Sequence, residues 1–253
     1  PVPCGIFPVY SEFEAAVHPS NLATEPADQD AVPAVAEMED MVGRDWIKKF
    51  DSKHRAKKFV GGRLVTSRLF VIKKVKRAKD KRGRWVEKTK KRLLLDLKAS
   101  GVSAASVKCE RVVLPRVLDV VFDGLELLKA QRRRRRSTSL RHLVLDFRHC
   151  FYHFPVAPKE QRFLAARLMN NWYVWVRATQ GSRGAPLVSG RGIAQAMRLA
   201  LSVAPLDRAR SSTYVDDPLM SFAGSDLENN RNIAKVVFCL RALNYDLAYD
   251  KAQ

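Results

Sequence analysis

Tyr214-Val215-Asp216-Asp217 sets two adjacent carboxylates behind a short β-prone stretch, and about seventy residues upstream Leu143-Val144-Leu145-Asp146 ends another apolar strand in a third acid. By itself the first string is also an ordinary hairpin turn, where Asp is favoured anyway. Taken together, the two segments can bring three carboxylates from neighbouring strands onto one small volume. Acids so placed repel and push one another's pKa upward unless cations sit among them. A packed Asp146, Asp216, Asp217 trio therefore predicts metal: two Mg²⁺ ions, with Mn²⁺ as the substitute. In two-metal sites the ions lie roughly 3.5–4 Å apart and clamp the attacking and leaving oxygens. Phosphoryl transfer suits such a site, because positioning and charge neutralisation do most of its catalysis.

The chain has 253 residues, enough for one substantial core or two subdomains sharing a cleft without disulfides. Cys4, Cys109, Cys150 and Cys239 are scattered with no Cys-x-x-Cys pair, so they read as buried hydrophobes in a reducing, intracellular compartment, nucleus or cytoplasm. Cys150 lies between His149 and His153, but no second cluster supplies the remaining ligands of a zinc site. No apolar run approaches the roughly 20 residues of a membrane span, and the N-terminus lacks a basic region followed by an apolar one. No membrane partner is expected. The net charge of +20 is uneven: residues 1–43 hold eight acids and no Lys or Arg, which leaves 46 cations against 18 acids, or +28, for the rest. A body this basic attracts phosphate backbones and gains affinity by releasing counterions, so nucleic acid is the natural partner.

Composition and periodicity divide the chain into an acidic Pro/Ala-rich leader over residues 1–43, read as flexible, and a body over 44–253. Trp46 to Lys58 reads as a short basic helix. Leu69-Phe70-Val71-Ile72, Arg84-Trp85-Val86 and Leu93-Leu94-Leu95 are β-prone, and Lys79 to Gly83 carries turn residues, so a β-hairpin is expected there. Val117, Leu118, Val121, Phe122, Leu125 and Leu128 have helical spacing and run into the arginines at 132–136. Strands are expected at Leu143 to Leu145 and Trp172 to Val176, helices at Pro186 to Val203 and Leu227 to Leu243, and a hairpin around the paired acids. Strands and helices alternate without a βαβ repeat, which makes this an α+β protein.

Over about residues 60–253 the chain resembles the reverse transcriptases of retroelements, LTR retrotransposons among them. The resemblance rests on ordered motifs. Asp146-Phe147-Arg148-His149-Cys150-Phe151, followed by Phe154-Pro155-Val156, looks like the family's first catalytic segment. Gln180-Gly181-Ser182-Arg183-Gly184-Ala185-Pro186 looks like its second, and Tyr214 to Asp217 like its third. The resemblance implies a right-hand polymerase fold, with fingers strands at about 60–100 and palm motifs at about 140–253, the antiparallel palm sheet being backed by helices. It implies that Asp146 and Asp216 bind metal, with Asp217 less directly and the carbonyl of Phe147 as a further ligand. Phe151 would be the steric gate against a ribose 2′-OH. Gln180 and Gly181 would contact the incoming nucleotide or template, and Lys74 and Arg92, on two fingers strands, the triphosphate. Lys251 falls where the family's Lys protonates the leaving pyrophosphate; an exposed terminal lysine reads equally well. The implied partners are an RNA or DNA template with its primer and deoxynucleoside triphosphates.

Viral RNA-dependent RNA polymerases usually place Asp at the gate position and Gly before the paired acids, and neither occurs here. The departures are Pro218, which lacks the N–H of a strand residue, and a sequence that ends before the family's primer-gripping hairpin and thumb, as a fragment would. They leave open a catalytically silent retroelement relic or domesticated nucleic-acid-binding module, with an RNA-dependent RNA polymerase as the weaker alternative.

Overall fold

The computed structural model describes residues 28–79, 83–106, 113–133 and 138–248. Its helices are α1 (Asp28–Gly43), α2 (Lys53–Val60), α3 (Val102–Ala105), α4 (Val117–Arg133), α5 (Ala185–Leu201) and α6 (Asp226–Ala242). Its strands are β1 (Ile47–Phe50), β2 (Arg68–Lys79), β3 (Trp85–Asp96), β4 (Ser139–Val144), β5 (Ala165–Leu168), β6 (Asn171–Trp175), β7 (Ala209–Tyr214) and β8 (Asp217–Gly224). The chain forms two compact units: Pro1–Cys109 with Pro155–Ala185, and Glu110–Phe154 with Pro186–Gln253. The fold is mixed α and β, and its three sheets are antiparallel.

In the first unit β6 lies between β1 and β5, with Ile47 opposite Trp175 and Ala165 opposite Val174. Ala56, Val60, Leu64, Ala165 and Val174 form a small core under α2, with Phe50 and Trp172 against it. The basic helix expected from Trp46 to Lys58 divides into β1 and α2. Ser52 stops the strand and caps the helix, its hydroxyl accepting from the N–H of Arg55, while Ile47 is fully buried in the sheet. The acidic leader also differs from expectation. Its last sixteen residues are α1, because Ala34, Met38 and Met41, at helical spacing, are buried. Residues 1–27 lie outside the described residues. β2 and β3 form the expected hairpin as a longer two-stranded ribbon, paired from Arg68 opposite Asp96 to Lys79 opposite Trp85.

In the second unit β8 is central, between β4 and β7. Met220 and Phe222 on β8, Ile193, Met197 and Ala200 on α5, and Val236 and Leu240 on α6 make its core. α4 forms where the apolar spacing predicts, yet the apolar stripe faces outward: Leu118, Phe122 and Leu125 are each more than half exposed. The residues it buries are Gly124, Leu127 and Gln131, and the Gln131 side-chain amide donates to the carbonyl of Asp207 at 2.9 Å. Arg132 and Arg133 end the helix exposed, and residues 134–136 of the arginine run lie outside the described residues.

Candidate active site

β7 and β8 meet in a two-residue loop. Tyr214 stands opposite Asp217, so Val215 and Asp216 make the turn. Val215 takes φ 59°, a left-handed conformation disfavoured for a β-branched side chain, and strain of this kind persists where the surrounding structure enforces it. The hairpin thus holds Asp216 at its tip and Asp217 at the first residue of the outgoing strand.

β4 runs antiparallel to β8, with Val144 opposite Leu219, and the Leu145 N–H donates to the Pro218 carbonyl at 3.1 Å. Position 146 follows directly on that bond. Pro218 has no N–H to return to Leu145, so the ladder loses a bond at the end of β4. Beyond this point the chain pairs elsewhere. The carbonyl of Asp146 accepts from the Ala248 N–H at 2.9 Å, and the Arg148 N–H donates to the Asp246 carbonyl at 2.8 Å. Phe147 bridges to Leu247 and is buried, its ring edge-on to Tyr245 at 5.1 Å. Asp146 therefore sits at a strand junction, fixed by its backbone. Phe151 is half-buried in a 3₁₀ turn, Cys150–His153, and its carbonyl accepts from the Phe154 N–H at 3.1 Å.

The electrostatics centre on the paired acids. Partial burial, together with the charge of Asp216, raises the Asp217 carboxyl above its usual range. Cys150 is pushed up to about 12 by burial, with the carboxylates of Asp216 and Asp217 adding to the shift and a hydrogen bond to Ser189 opposing it. Composition marks Cys150 only as a buried hydrophobe; its place beside the acids depends on the turn after Asp146 and on Ser189 of α5. Among the described residues no three His, Cys, Asp or Glu side chains come close enough to hold a metal ion. Asp216 and Asp217 are adjacent on the hairpin, and Asp146 lies two residues past Val144, the last residue of β4 that pairs with β8. The donor chemistry fits a hard divalent cation: both hairpin side chains offer carboxylate oxygens, and a cation would offset both the burial and the Asp216 charge that raise Asp217.

A cavity of about 520 Å³ opens beside the hairpin, lined by Ser211 and Thr213 of β7, Val215 of the turn, and Arg191, Met197 and Arg198 of α5. The two arginines, on one face of α5 at i and i+7, are not distinguished in the sequence by anything local from other helix-surface cations.

The remaining expected residues belong to the first unit. Gly181 has φ 97°, and a Cβ there would stand 2.6 Å from the carbonyl oxygen of Leu95 on β3. Only glycine lets this loop lie against the strand. Gln180 beside it is half-buried, and Arg183 reaches the carbonyls of Ser103 and Ser106, each at 3.4 Å. Lys74 and Arg92 are exposed on the ribbon, opposite Lys90 and Ile72 respectively. The structure thus places Asp146, Phe147, Phe151, Asp216 and Asp217 in one unit and Lys74, Arg92, Gln180 and Gly181 in the other. Lys251 lies outside the described residues.

No protein-family model matches the chain, and no curated protein matches it. Solved structures do. Native prototype foamy virus protease-reverse transcriptase has a TM-score of 0.57 at 16% identity, over 91% of this chain and 25% of that one. Its CSH mutant has a TM-score of 0.58, with the same identity and coverage. The foamy viral protease-reverse transcriptase dRH in complex with double-stranded DNA has a TM-score of 0.58 at 14% identity, over 91% of this chain and 32% of that one. The chain therefore spans between a quarter and a third of the length of these relatives in structure. At such identity the likeness speaks for architecture: the chain has a reverse-transcriptase-like fold.

Proposed function

We propose that this chain is the fingers and palm of an RNA-directed DNA polymerase of a retroelement, LTR-retrotransposon-like, which extends a primer with deoxynucleoside triphosphates on an RNA or DNA template. The observation that carries the reading is the strained β7–β8 hairpin, which presents Asp216 and Asp217 beside the end of β4, the strand that leads into Asp146, within a reverse-transcriptase-like fold. One of the proteins it resembles was solved with double-stranded DNA, which supports a nucleic-acid substrate.

Bound Mg²⁺, held by Asp216, Asp217 and Asp146, would supply neutralisation of the phosphate charge. The chain's own residues do the rest. The tight turn fixes Asp216 and Asp217 on one short rigid element, which keeps their oxygens aimed without reorganisation. Asp146 is anchored through its carbonyl to Ala248. Phe151 fills space beside the sugar and excludes a 2′-OH, Gln180 contacts the nucleotide or template, Gly181 lets backbone approach it closely, and Lys74 and Arg92 bind the triphosphate. Replacing Phe151 by Ala should raise ribonucleotide incorporation in competition with deoxynucleotides; unchanged sugar selectivity would remove the gate role. Metal occupancy is tested apart from turnover by Mn²⁺ binding, followed by electron paramagnetic resonance. Asp216→Asn should weaken it tenfold or more, and equal binding by the two proteins would sink the metal assignment.

A second reading, a nucleic-acid-binding module without polymerase activity, is favoured by Pro218 and by the lack of a preformed three-acid cluster among the described residues. It predicts full nucleic-acid affinity in Asp216→Asn and no extension by either protein.

A further inference from the structure

β7 is an edge strand of the second unit's sheet, with β8 as its only neighbour among the described residues. The ladder fixes which of its backbone groups are left over. The Ala223 N–H donates to the Arg208 carbonyl at 2.9 Å, and the same register sets Arg210 opposite Ser221, Ser212 opposite Leu219 and Tyr214 opposite Asp217. Hydrogen-bonded pairs alternate along an antiparallel ladder, so Ser211 and Thr213 direct their N–H and C=O groups away from β8. Among the described residues no backbone group pairs with these four. The Ala209 carbonyl, next along that edge, already accepts from the Arg210 guanidinium at 3.1 Å.

The edge also lacks the features that blunt one. Proteins protect such strands with Pro, Lys or a bulge. Ala209–Tyr214 contains neither Pro nor Lys and pairs with β8 residue for residue. Its one cation, Arg210, is turned back onto the carbonyls of Leu206 and Ala209. What lies beside the edge is the cavity of about 520 Å³, which Ser211 and Thr213 line from one strand face. Across it, α5 presents Ala194 and Met197 between Arg191 and Arg198. The acid in its lining, Asp119, is answered by Arg116, whose backbone N–H donates at 2.7 Å and whose guanidinium donates at 3.4 Å.

We infer that β7 takes an extended acidic segment of a partner protein as a fourth strand of this sheet. Its carboxylates face Arg191 and Arg198, and a small apolar side chain between them lies over Ala194 and Met197. In strand addition the main-chain bonds supply affinity and the alternate side chains supply specificity. Donors and acceptors alternate along the β7 edge, and a polypeptide backbone answers both. A phosphodiester backbone offers acceptors alone and leaves the carbonyls of Ser211 and Thr213 unmet. A second copy of this chain, pairing edge to edge, would bring the arginines beside β7 against their own counterparts. The inference stands apart from the polymerase reading, because it uses the strand edge and the cavity and not the acids.

The probe is the peptide Thr-Glu-Thr-Val-Thr-Glu-Thr, labelled with fluorescein and followed by anisotropy, in which two Glu and a Val share one strand face. A second peptide is N-methylated at the central Thr-Val-Thr, which keeps every side chain and charge and removes the N–H groups of either strand direction. The parent should bind the first peptide saturably and the second at least tenfold more weakly. Hydrogen exchange should show the Ser211 and Thr213 amides protected when the first peptide is bound. Arg191→Glu with Arg198→Glu should weaken binding at least tenfold, while Arg231→Glu with Lys235→Glu, which changes net charge equally on the exposed surface of α6, should keep the parent's affinity. Equal binding of the two peptides, no saturable binding, or unprotected Ser211 and Thr213 amides in the complex would overturn the inference. So would equal weakening in both variants, and protection of those two amides by oligothymidylate instead of the peptide would give the groove to nucleic acid.

Discussion

At Gly181 a left-handed backbone and a neighbouring carbonyl act together. A methyl group there meets the oxygen of Leu95 at 2.6 Å, and non-glycine residues held in sparsely populated conformations cost about 1–3 kcal/mol. Gly181→Ala should destabilise the protein by that order in chemical denaturation, and a loss of only a few tenths would mean that the loop is not seated on β3. Glu228 makes a separate prediction. The Ser225 N–H, the Arg208 guanidinium at 2.5 Å and the Ser225 hydroxyl hold its carboxyl down at about 2. A folded-state pKa below the unfolded value contributes stability that is present above about 4.5 and is lost as pH falls toward 2. Glu228→Gln should therefore be less stable than the parent at neutral pH. In unfolding measured across acid pH, the two should converge below about pH 2; a gap independent of pH would contradict this role.

Among the elements, α6 shows how much of the fold was legible in the sequence. Ser225 and Glu228 complete a reciprocal capping box before an apolar run, so both the helix and its start follow from local chemistry. Ser225→Ala should cost about 1 kcal/mol, read in denaturant unfolding. The β7–β8 hairpin was equally legible, since two acids bounded by β-prone residues leave few other conformations. β1 was not: its lysines suggested a helix, and only Trp172 to Trp175 on a strand over a hundred residues away turn Ile47–Phe50 into sheet. α4 was legible as a helix but not in orientation, because its buried side is set by Leu127, Gly124 and the Gln131 amide rather than by the apolar stripe. At the site, the identities of the acids could be read from sequence, whereas Cys150 and Ser189 beside them could not.

For the whole molecule, the basic body and its reverse-transcriptase-like fold make nucleic-acid binding the common ground of both functional readings. Affinity for primer-template should fall steeply with salt, by about 10³ between low and moderate concentrations if several phosphates are contacted; a flat salt profile would remove the electrostatic basis of binding. What divides the readings is the pair of acids on the strained turn. The most direct measurement is primer extension on an RNA template with deoxynucleotides and Mg²⁺, comparing the parent with Asp216→Asn while checking that both bind primer-template equally. The proposed polymerase predicts extension by the parent and its loss in the variant. Extension undiminished in the variant, or none by either protein despite tight binding, would contradict it.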